Sequence, residues 1–265
     1  MNRMLKVLAL ITLAAALAPS AVLADSVTVT GTGTASNSVP LAASVTFTTL
    51  AGGQLMVTLT NTATSDVLAP ENVLTAVYFT IAGVTLTPVS ASVPAGSTIV
   101  FPLANCVSTA ANCSGTNVGG EWGYASALSL PGGATMGISS MGAVNGLGSA
   151  NFNGPNLWQP TNGALDGLQA GILSTGDNTA TGNQMVTGGE ALVQDTVVFI
   201  FSGLPTGFTL SGNVGNVSFQ YGTSLSEPNI PCTNGCTPVP EPGTLALFGT
   251  GLLSLAGVIR RRIAG

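Results

Sequence analysis

Glu121 and Glu190 are the two carboxylates of this chain that could act as a pair in glycoside hydrolysis, one as acid and one as base or nucleophile. Such a pair needs a cleft and polar or basic groups to tune it. The chain offers none of the latter between Asp25 and Pro238, where there is no lysine, arginine or histidine. Its five basic residues, Arg3, Lys6, Arg260, Arg261 and Arg262, all lie near the two ends, while nine of its ten acids lie in that interval. A histidine-dependent triad, a histidine-ligated metal and a lysine Schiff base are therefore excluded from the body. Nucleic-acid binding is excluded as well, because no cation is available to displace phosphate counterions. The body is a weak polyanion, and it is expected not to be an enzyme.

Other groups suit binding or cross-linking. Asp177-Asn178 and Asp166-Gly167 supply hard oxygen ligands of the kind calcium takes, but no Asp-x-Asp-x-Asp-Gly loop is present and turn chemistry explains them equally well. No cofactor or metal is expected. Cys106, Cys113, Cys232 and Cys236 favour two local disulfides, Cys106–Cys113 and Cys232–Cys236. A zinc site is the rival, though the spacings suit a zinc ribbon poorly. Trp122, Tyr124 and Trp158 are candidate stacking platforms for a glycan, against the alternative that they pin loops onto a core. Thr28, Thr30, Thr32 and Thr34 form a ladder that resembles an ice-binding threonine row, although threonine also simply favours strands.

These groups must be positioned by strands. Val45 and Phe47, then Leu55, Val57 and Leu59, then Val217, Phe219 and Tyr221 alternate with polar residues at a period of two. Residues 73–81 and 99–103 are further candidate strands. Val197 to Phe201 is apolar throughout and predicts a central strand covered on both faces. Gly52-Gly53 predicts a hairpin turn. No helix is expected outside the termini beyond one turn within 68–74. From Asn105 to about Asn183 the periodicity fades into glycine-, asparagine- and proline-rich sequence, which predicts long loops where binding would reside. The fold class expected is all-β: an antiparallel sandwich, jelly-roll-like, over residues 25–225. Residues 226–238 read as a proline-rich stalk.

The ends form an export cassette. Residues 1–24 have a basic start, a 12-residue apolar run and small residues before Ala24, which predicts a signal peptide cleaved between Ala24 and Asp25. At the other end, Val239, Pro240, Glu241 and Pro242 precede an uncharged run over 243–259 and the basic stop Arg260, Arg261 and Arg262. The 17-residue run would span about 25 Å as a helix, the short end of what crosses a bilayer. The arginines orient it with the body outside.

Residues 239–262 closely resemble the PEP-CTERM sorting domain. That resemblance implies a substrate of exosortase, a membrane-embedded transpeptidase-like enzyme, cleaved near Pro-Glu-Pro. The body is similar to one group of exosortase-dependent surface proteins through Leu59–Thr62 with Asp66–Pro70, Gly119–Trp122 and Val217–Pro228. The same tail occurs on some proteins labelled ice-binding. The expected partners are the secretion translocon, exosortase, the inner membrane before processing, and exopolysaccharide. The expected destination is the cell surface or extracellular matrix, with a structural or adhesive role; the alternative is a non-catalytic carbohydrate-binding module.

Overall fold

A computed structural model describes residues 24–100, 116–142, 146–157, 165, 167–181, 186, 191–232 and 239–240. Fourteen strands account for most of its regular structure: β1 (Ser26–Thr34), β2 (Pro40–Leu50), β3 (Gln54–Asn61), β4 (Leu74–Ile81), β5 (Thr87–Ser92), β6 (Thr98–Val100), β7 (Gly123–Ser126), β8 (Met136–Ser139), β9 (Ile172–Leu173), β10 (Leu192–Gln194), β11 (Thr196–Ser202), β12 (Val214–Tyr221), β13 (Asn229–Pro231) and β14 (Val239–Pro240). Three short 3-10 turns lie among the described residues, including Pro70–Asn72 where one turn was expected. The all-β expectation is therefore met.

The strands form two sheets. The first has the order β14-β1-β2-β3-β11-β5. The second has the order β13-β12-β4-β9-β10-β6, with β8 also on β4 and β7 on β8. All pairings are antiparallel except β9 with β10. β1, β2 and β3 make a simple meander, so the order departs from the jelly roll of the sequence reading. The short turn after Leu50 causes this: Gly52 and Gly53 sit at φ 77° and 70° and bring Gln54 opposite Leu50.

Alternation decides which side chains meet between the sheets. β2 and β3 turn Val45, Phe47, Leu55, Val57 and Leu59 inward, and β4 and β12 answer with Val77, Phe79, Phe219 and Tyr221. Phe47 meets Phe79 edge-on at 5.1 Å between centroids. β1 contributes Val27 and Val29, then Gly31 and Gly33, because a Cβ at either glycine would lie about 3 Å from Phe219 or Ile230. These glycines make room for the closing edge of the sandwich.

The strand covered on both faces is β4, not β11. Val197, Phe199 and Phe201 of β11 are buried, but Val198 and Ile200 are only half-buried on the outer face of the first sheet. β4 turns Ala76 and Tyr78 outward, and they are buried under Leu130, Ala134, Met141 and Leu147. The glycine-rich middle thus supplies a further layer over the second sheet. Residues 226–232 also depart from expectation: Asn229–Pro231 pairs with β12, and Gln220 Nε2 donates to the carbonyls of Ser224 and Glu227 at 3.0 and 3.1 Å. This stretch is folded onto the domain instead of forming a stalk, because a buried amide side chain needs those carbonyls as partners.

Candidate functional site

Trp122 and Tyr124 offer no stacking surface. Trp122 is fully buried and meets Phe199 edge-on at 4.9 Å, and Tyr124 meets Phe201 in the same way at 4.9 Å. Phe152 completes the cluster, 5.3 and 5.2 Å from the same two rings. Trp122 and Tyr124 therefore fasten β7 onto the first sheet and present no face to a glycan. Trp158 lies outside the described residues.

Glu121 is likewise a structural group. It is 2% exposed, and its Oε1 accepts the Leu157 amide at 2.5 Å. The glycines before it explain the local sequence: a Cβ at Gly119 would lie 2.4 Å from the Asn153 carbonyl oxygen, and at Gly120 only 2.0 Å from that of Pro155. Gly-Gly-Glu-Trp is a clasp on the segment 153–157. Glu190 lies outside the described residues.

The other phrases singled out in the sequence are clasps too. Asn61 is buried, and its Nδ2 donates to the Ile172 carbonyl at 2.9 Å, tying β3 to β9. Glu227 Oε2 accepts from the Thr223 amide at 2.6 Å and from its hydroxyl at 3.1 Å, closing the turn after β12. Asp66 Oδ1 accepts the Asn178 amide at 3.0 Å, and its Oδ2 accepts the Thr181 hydroxyl at 3.1 Å. Asp177 Oδ1 accepts the Val67 amide at 2.9 Å.

Those two aspartates face one another across a sequence separation that no local reading spans. Burial, then the Asp66 carboxyl beside it, pushes the Asp177 carboxyl up to about 6, against the lowering effect of the Val67 amide. Burial also acts on Asp66, but bonds from Asn178, Asp177, Thr181 and Val67 outweigh it and hold that carboxyl below its ordinary value. Asp166 lies outside the described residues. Among the described residues no group of three or more metal-ligating side chains comes together.

Cys232 is disulfide-bonded. Cys106, Cys113 and Cys236 lie outside the described residues, so neither expected pairing is tested. The signal segment before Ala24, Glu241, Pro242, the run 243–259 and the three arginines also lie outside them. Among the described residues no helix is long and apolar enough to cross a membrane.

Two surfaces remain. The first is the outer face of the first sheet, whose strands contain no ionisable side chain. Thr30, Thr32 and Thr34 are exposed there, and hydroxyls pair across strands: Ser26 with Thr48 at 3.0 Å, Thr28 with Thr46 at 2.8 Å, and Thr60 with Thr196 at 2.8 Å. Registration sets Thr28, Thr46, Thr58 and Val198 in one row across four strands. The threonine ladder seen in the sequence is one column of this hydroxyl field.

The second surface is the free edge of β1. β2 pairs with β1 along its whole length, from Ser26 opposite Thr48 to Thr34 opposite Pro40. On the other side β14 pairs antiparallel at its start, with Val27 opposite Pro240 and Thr28 opposite Val239. Asp25 is fixed beside this point: its amide donates to Thr49 Oγ1 at 2.9 Å, and its carboxylate accepts the Leu210 amide.

Residues 238–262 match the family model of the PEP-CTERM protein-sorting motif. No curated protein and no solved structure matches the chain.

Proposed function

We propose that the chain is an exported precursor that exosortase processes near Val239–Pro242, delivering a non-catalytic β domain to the cell surface or extracellular matrix. The sorting-motif match supports export and exosortase targeting. The domain's role is structural or adhesive, beside exopolysaccharide, and it enters through an initially membrane-anchored precursor. The observation that carries the reading is the motif itself, joined to a body in which, among the described residues, the outer face of the first sheet bears hydroxyls and no charge. A neutral, hydrogen-bonding face suits contact with a neutral polyhydroxylated polymer, whereas the polyanionic remainder would repel an anionic one. The carbohydrate-module alternative loses Trp122 and Tyr124 as platforms because both are buried.

The test is the intact mass of protein extracted from the surface of cells with and without exosortase. Loss of the C-terminal segment only in the exosortase strain is the expected result. A full-length, untrimmed protein in both strains would refute the reading. Adhesion is tested separately, by retention of the purified body on neutral polysaccharide and its loss on Thr30→Lys with Thr46→Glu.

A further inference from the structure

We propose that β1 acts as a docking strand for the sorting motif, so that the folded domain presents the cleavage region directly instead of trailing it on a free stalk. The proposal rests on the exosortase reading above and concerns how that processing site is positioned.

Three observations converge on it. Val239 and Pro240, the first half of Val-Pro-Glu-Pro, occupy the edge of β1 as an added strand. The 13 residues 226–238, had they formed an extended stalk, would have let the motif wander about 40 Å from the body. Instead part of that stretch is folded onto β12, and the motif returns to the sheet. The pairing is antiparallel, so the chain at Pro240 heads toward the start of β1, where Asp25 is held by Thr49 and Leu210. Asp25 and Pro240, the described residues beside the two processing signals, therefore lie at one pole of the domain.

The residue types fit an edge and not an interior. Proline has no amide to donate, so it is tolerated on an outermost strand and discourages any further strand from adding beyond it. Val-Pro pairing thus closes the part of the β1 edge nearest the pole without nucleating sheet growth between copies. A transpeptidase takes its substrate extended, and a strand already fixed on one side arrives in that conformation, with less chain entropy left to lose on capture.

The experiment uses the full-length precursor in membranes that hold exosortase. A photo-crosslinking side chain at position 28 should link to the peptide containing Val239 and Pro240, whereas the same group at position 32 should not. Thr28→Pro and Thr32→Pro then form a matched pair. Both place a proline at the same parity on the same strand, but only position 28 lies opposite β14. Thr28→Pro should slow C-terminal trimming several-fold, with Thr32→Pro trimmed like the unaltered chain and both variants melting alike. Equal linking from positions 28 and 32, or no linking from 28, overturns the docking. Trimming of Thr28→Pro at the unaltered rate overturns the presentation. If the unaltered precursor is never trimmed, the exosortase reading falls and the presentation with it. The crosslink, which needs no enzyme, still reports the pairing by itself.

Discussion

The outer faces of the two sheets meet different surroundings. Among the described residues, the outer face of the first sheet is the hydroxyl field of β1, β2 and β3, continued by the half-buried Val198 and Ile200 of β11. Over the second sheet lies the glycine-rich middle, which buries Tyr78 and Ala76 beneath Leu130, Met141 and Leu147. The difference teaches that long irregular connections are not always the working part of a β protein. Here their described stretches serve as packing, and the plain strands carry the exposed hydroxyls. The aromatics and the buried glutamate, which look most like chemistry in the sequence, belong to the packing side.

That contrast can be broken most directly at Trp122. Trp122→Ala should cost about 3–5 kcal/mol, because it empties a fully buried site between β7 and β11. Its chemical-denaturation midpoint should fall accordingly, and an unchanged midpoint would mean that the middle is not packed as a layer. Next comes Gly120→Ala, whose new methyl would press on the Pro155 carbonyl oxygen. A loss of about 1–3 kcal/mol is expected from overpacking, read by thermal melting. Glu121→Ala should cost a similar or smaller amount, about 1–3 kcal/mol, by leaving the Leu157 amide buried without its acceptor. A stable Glu121→Ala protein that had lost a polysaccharide-cleaving activity would reverse the structural assignment of this residue.

A smaller effect separates the two sides by pH. The Asp177 carboxyl is raised to about 6 in the folded state, so the folded protein binds its proton more readily than the unfolded chain does. Its contribution is fully present below the ordinary aspartate value and is lost as pH rises through about 6. Asp66 acts in the opposite sense: its depressed value gives stability above the ordinary range, which is lost only in stronger acid. Melting temperature should therefore rise modestly as pH falls from about 7.5 to about 5, and Asp177→Asn should remove that rise. A melting temperature flat across this window in the unaltered protein would show that burial in the clasp does not raise the Asp177 carboxyl. The smallest stability change belongs to the bare face. Thr30→Lys or Thr46→Ala should move stability by no more than about 0.5 kcal/mol, since neither opens a core. A large loss there would mean that the hydroxyl field is a fastening and not a surface.

Parts of both sheets were legible in the residues, β2 and β3 of the first and β12 of the second. The alternation over 45–48, 55–60 and 217–221 named strands and their inward faces, and Gly52-Gly53 named the turn. The apolar run of β11 misled, because an unbroken run shows that both faces tolerate apolar residues without showing that both are covered. The covered strand, β4, receives its roof from residues more than 50 positions downstream. The site residues divide in the same way. The sorting motif was readable as a linear phrase, whereas the partners of Glu121, Asn61, Asp66 and Gln220 are backbone groups and side chains that proximity alone supplies. Asp66 and Asp177 could have been suspected only from their being acids in turn-rich sequence, and nothing local couples them.

The sequence by itself determined what this protein cannot do and which of its positions face inward. A body without lysine, arginine or histidine has no cation to offer, and a period of two assigns sides whatever the neighbours are. Tertiary structure alone decided which outer face was roofed, where the returning chain docked, and which carboxylates met. Those outcomes depend on contacts between segments distant along the chain. They are fixed by the competition to satisfy buried amides and fill apolar space, and no single segment records the result.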